Sequence, residues 1–77
     1  MENRFSDVTV HVDETLDEAG RRAIEGALKA LDGVASVRGA DGTPHLLVVH
    51  FDPGQVGTAA ILSAVTGQGV HAELVGL

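Results

Sequence analysis

Along this chain the period of the apolar residues changes from two to about 3.6 and back, twice over, and that order limits the fold more than any single residue does. Val8-Thr9-Val10-His11-Val12 alternates strictly, which places three valines on one face of a strand and Thr9 and His11 on the other. The period then lengthens. Thr15-Leu16-Asp17-Glu18 has capping-box form, with Thr15 accepting from a free backbone N–H and Glu18 reaching back, so a helix is expected to start here. Ile24, Ala27, Leu28 and Leu31 recur at helical spacing, while Arg21, Arg22, Glu25 and Lys29 supply the wet side.

Gly33 is the expected left-handed stop, and Val34 to Arg38 form a second strand. Gly39-Ala40-Asp41-Gly42-Thr43-Pro44 is turn chemistry, so the second and third strands are expected to form a hairpin. The third strand, His45 to Phe51, ends at Asp52-Pro53-Gly54, which cannot extend a ladder. A second helix is expected from Thr58 to Thr66, with Val56 and Ile61 placed as a hydrophobic staple, and Gly67-Gln68-Gly69 stops it. Val70 to Val75 alternate again as the last strand, with Val70, Ala72 and Leu74 inward. The resulting β-α-β-β-α-β order is the ferredoxin-like arrangement, an α+β class.

With 77 residues the chain has room for one domain, 1–77, whose residues 1–6 are expected to be flexible. The formal charge is −6 and the only adjacent basic pair is Arg21-Arg22, so neither nucleic acid nor an anionic membrane finds an electropositive footprint. No apolar run approaches the ~20 residues of a membrane span, and Met1-Glu2-Asn3-Arg4 leads into no secretory stretch; the expected location is cytoplasmic. The absence of cysteine removes disulfides, thiolate metal sites and cysteine nucleophiles together. With no Tyr or Trp either, and a single Lys, few catalytic candidates remain, so the expected class is non-enzymatic.

From Val8 to Val75 the chain resembles the heavy-metal-associated family of copper chaperones and transport-ATPase amino-terminal domains. The resemblance is carried by Ile24 to Leu28, Gly33-Val34-Ala35-Ser36-Val37, Val49-His50-Phe51-Asp52-Pro53 and Gly69. It implies an antiparallel sheet of order 4-1-3-2 with both helices on one face. The family holds Cu(I) with the two cysteines of a CxxC motif, and counting back from Ile24 puts those positions at Asp17 and Gly20. Neither offers a soft thiolate, so the family's copper transfer does not carry over.

On the implied fold, His11 and His71 lie on adjacent strands and face away from the valines. With Asp13 or Glu73 they make a candidate site for Zn(II), Cu(II) or Ni(II), since imidazole and carboxylate suit borderline cations. The plain alternative is a solvated strand surface whose histidines are neighbours by accident. If Leu47, Val49 and Phe51 lie under the helices, then Leu46, Val48 and His50 face outward, as does Val75. These residues form the expected surface for a protein partner or a homodimer. Three functions follow. The first is an interaction or accessory module on a metallochaperone-like scaffold that has lost its thiolate site; the second is a metal carrier or sensor using His and carboxylate ligands. The third, a small-molecule-sensing regulatory module, rests on fold analogy alone.

Overall fold

The computed structural model describes residues 4–40 and 43–75. Chain order is β1 (Ser6–Val12), α1 (Glu18–Lys29), β2 (Val34–Ala40), β3 (Thr43–Phe51), α2 (Thr58–Thr66) and β4 (Ala72–Val75). The four strands make one antiparallel sheet ordered β2-β3-β1-β4, the 4-1-3-2 order read in reverse, and the two helices contact each other over one face. This is the ferredoxin-like βαββαβ fold.

Strand alternation sets the core. Val8, Val10 and Val12 of β1 and Leu47, Val49 and Phe51 of β3 are buried, and they meet Ile24 and Leu28 of α1 and Ile61 and Val65 of α2. Each such side chain contributes about 1.5–3 kcal/mol by leaving water. Val56 and Ile61, the expected staple at the start of α2, both belong to this cluster.

Several boundaries differ from expectation. Helix α1 begins at Glu18, and its N-cap is Asp17, whose carboxylate accepts from the Gly20 N–H at 2.7 Å. The capping box on Thr15 does not form, because Glu18 reaches forward to Arg22 on the next turn. Strand β4 begins at Ala72 rather than Val70: the last ladder bond runs from Asp13 N–H to His71 O, and Gly69, at φ 89°, turns the chain in just before it. Strand β3 begins at Thr43, two residues early. Of the hairpin turn, Asp41 and Gly42 lie outside the described residues, but β2 and β3 pair antiparallel as a hairpin requires.

Residues 1–3, within the segment expected to be flexible, also lie outside the described residues. Beyond them Ser6 already belongs to β1, Arg4 reaches the Asp52 carboxylate at 3.3 Å, and the Phe5 ring stacks on His50. Among the described residues no helix is long and apolar enough to cross a membrane.

Candidate functional site

The helix-free face of the sheet carries the candidate residues, and pairing register fixes which of them meet. His11 lies directly opposite Glu73 on one side and Leu46 on the other, while Asp13 follows His11 by one alternation and shares its face. One ligand atom from each of His11, Asp13 and Glu73 falls within a 4.8 Å cluster. Nδ1 of His11 stands 3.4 Å from Asp13 Oδ1 and 4.0 Å from Glu73 Oε1; it is shielded from solvent and makes no hydrogen bond.

Two other histidine–carboxylate pairs on the molecule are closed. His50 Nδ1 donates to Asp7 Oδ1 at 2.6 Å, and His71 Nδ1 donates to Glu14 Oε2 at 2.7 Å. His71, expected beside His11 as a ligand, is thus directed to Glu14, which also accepts from the His71 backbone N–H at 2.8 Å. This two-bond clamp raises the His71 pKa, chiefly through the carboxylate hydrogen bond, and lowers that of Glu14 for the same reason. Nothing in the local sequence marks Glu14 as His71's partner, since they are 57 positions apart. The available clue is topological: a register that sets His71 against Asp13 also brings residue 14 alongside.

His45 has a structural role at the same end. Its Nδ1 lies 2.9 Å from Val12 O and 3.1 Å from Glu14 O, and because carbonyls only accept, this nitrogen carries the proton. The two carbonyls flank Asp13. The His45 ring also stacks on His11 with centroids 5.9 Å apart. Asp13 is therefore held by His45 on both sides and by its own N–H bond to His71 O.

Across the middle of the open face runs a row of Arg38, Val48, Thr9 and Val75, each paired with the next across neighbouring strands. Leu46 and Val48 are half-buried and Val75 is exposed, so Thr9 joins Val48 to Val75 in one patch. His50, between Asp7 and Ser36, borders it, and a shallow depression here is lined by Asp7, Ser36, Arg38, Val48 and His50. The charge on this face is uneven, with carboxylates at Asp7, Asp13 and Glu73 against the guanidinium of Arg38.

Asp17 and Gly20, the positions that the family resemblance would fill with thiols, are bonded to each other in the α1 cap. A carboxylate spent on a helix N-terminus and a glycine do not fit Cu(I).

Fold and topology define a ferredoxin-like scaffold similar to that of heavy-metal-associated domains, on a chain without cysteine. No protein-family model matches the chain, and a search of curated proteins finds no match. Among solved structures it is similar to the copper binding domain from HMA7, a P-type ATPase, at 26% identity over 91% of this chain and 93% of that one, with a TM-score of 0.82. It is also similar to oxidized MerP from Ralstonia metallidurans CH34 (21% identity, 94% and 99% coverage, TM-score 0.83). The yeast copper transporter domain Ccc2a superposes with a TM-score of 0.80 at 23% identity, covering 91% of this chain and 94% of its own.

Proposed function

We propose that this chain is a non-enzymatic accessory module that docks a protein partner through the helix-free face of its sheet. The carrying observation is the continuous Leu46, Val48, Thr9 and Val75 patch, which no element of the chain covers among the described residues. Contiguous apolar surface on a small, strongly charged domain is the usual mark of an interaction site. The copper binding domain from HMA7, a P-type ATPase, is similar in fold, which supports a role as a module working with a larger protein.

The occupant is a different protein with an apolar centre and a basic rim. A second copy would set three carboxylates and one guanidinium against the same set, on a chain whose formal charge is already −6, and like charges across an interface cost several kcal/mol. Cytoplasmic placement belongs to the same reading.

The test is affinity capture with mass spectrometry, followed by reconstitution with the purified partner. Leu46→Lys with Val48→Lys should weaken that complex at least tenfold while leaving the amide spectrum of the free domain folded. Unchanged affinity in the double variant means that the face does not dock, and concentration-dependent dimers abolished by the same variant make the occupant a second copy.

A further inference from the structure

We infer that His11, Asp13 and Glu73 form a three-ligand site for one borderline divalent cation of the Zn(II) class, on the sheet face and away from the α1 cap. The inference stands independently of partner docking. Its first support is the contrast among the histidines. His50 and His71 close on their carboxylates at 2.6 and 2.7 Å, whereas His11 Nδ1 faces two carboxylate oxygens at 3.4 and 4.0 Å without a hydrogen bond to either. A solvent-shielded ring nitrogen left without a hydrogen bond is costly unless something else satisfies it. A cation between the three side chains does so.

The spacing fits that occupant. Zn–N and Zn–O bonds of about 2.1 Å put neighbouring ligand atoms of a tetrahedron about 3.4 Å apart. The His11–Asp13 separation is already 3.4 Å, and the Glu73 oxygen at 4.0 Å closes the remainder by a small rotation of a side chain that is 72% exposed. Two carboxylates with one neutral imidazole balance a double positive charge, and the fourth tetrahedral position stays open for water or a partner's donor group.

Preorganisation is the second support. His11 and Glu73 are direct cross-strand partners, so their separation is set by the sheet ladder rather than by a loop. Asp13 lies just past the end of β1, where a ligand would ordinarily be loose. Here His45 bonds the carbonyls on either side of it, Asp13 N–H bonds His71 O, and the Glu14–His71 clamp ties the following residue to the chain just before β4. Sites held by such supporting bonds lose less entropy when the ion binds.

The test is titration of the purified chain with Zn(II), followed by calorimetry and by the imidazole nitrogen resonances. Saturable one-to-one binding is expected, with the largest shift at His11 Nδ1. Glu73→Gln, a substitution on an exposed side chain that leaves the fold intact, should weaken affinity at least tenfold, as should His11→Asn. His50→Gln, at the far end of the sheet, should leave affinity unchanged. A non-saturating response overturns the inference. So does binding that survives both Glu73→Gln and His11→Asn, or a shift centred on His50 or His71.

Discussion

Asp17 Oδ1 accepts a hydrogen bond from Gly20 N at 2.7 Å, so the two positions at which the family resemblance implies a thiol pair are joined in a helix cap. Purified protein should therefore not capture Cu(I) stoichiometrically against a competing thiolate chelator, because soft thiolates hold that ion and the chain has none. Replacing both positions, Asp17→Cys with Gly20→Cys, removes a cap worth about 1 kcal/mol. In exchange it places two thiols at the start of α1, and Cu(I) capture should appear. Tight Cu(I) binding by the unmodified chain would sink this view of the site.

Gly33 and Gly69 both adopt positive φ, at 101° and 89°, but they differ in surroundings. A Cβ on Gly33 would stand 2.8 Å from Gln55 Cβ and 2.9 Å from Val56 Cγ1, while nothing lies within 4 Å of one on Gly69. Gly69→Ala should thus carry backbone strain alone, about 1 kcal/mol, and Gly33→Ala should reach about 3 kcal/mol or more. Urea denaturation midpoints of the two variants give the comparison, and equal losses would mean that the loop carrying Gln55 and Val56 yields freely.

Period-two alternation at Val8, Val10 and Val12 and at Leu47, Val49 and Phe51 made the core face legible, because a one-residue slip would expose the whole set. The helix cap was not legible to the residue. Thr15 and Asp17 are both good cap types, and only the length of the bend leaving β1 decides between them. Of the candidate ligands, His11, Asp13 and Glu73 converge as strand register requires. Strand face alone places His71 with them, and face does not reveal that Glu14, on a loop, accepts two hydrogen bonds from it.

Asp52 is a buried carboxylate that accepts from Gly54 N–H at 2.9 Å, Gln55 Nε2 at 3.1 Å and Arg4 Nη2 at 3.3 Å. The Gly54 bond, helped by Gln55 and Arg4 against the opposing effect of burial, holds its pKa below the usual Asp value of 3.8. A depressed folded-state pKa means that the stabilisation is fully present above the unfolded value and is lost as pH falls through the folded one. Denaturation midpoints should consequently drop between pH 5 and pH 2, and Asp52→Asn should flatten part of that drop. Glu14, also depressed, keeps the remainder. An acid limb unchanged by Asp52→Asn would assign it to other carboxylates.

Adjacent residues of β3 should respond oppositely to substitution, because alternate side chains point to opposite faces of the sheet. Leu47 is 1% exposed beneath the helices, and Leu47→Ala should cost about 2–5 kcal/mol through lost burial and the cavity left behind. Leu46 and Val48 are half-buried on the helix-free side, where the aliphatic stem of a lysine can lie along the sheet with its ammonium in water. Leu46→Lys and Val48→Lys should each cost less than about 1 kcal/mol. The opposite register would bury Leu46, Val48 and His50 and expose Val49 and Phe51, which are 0% and 4% exposed in this fold. Thermal and urea denaturation of the three single variants separates the two arrangements. Unfolding by either lysine substitution, together with tolerance of Leu47→Ala, would reverse the strand and remove the apolar patch from the open face.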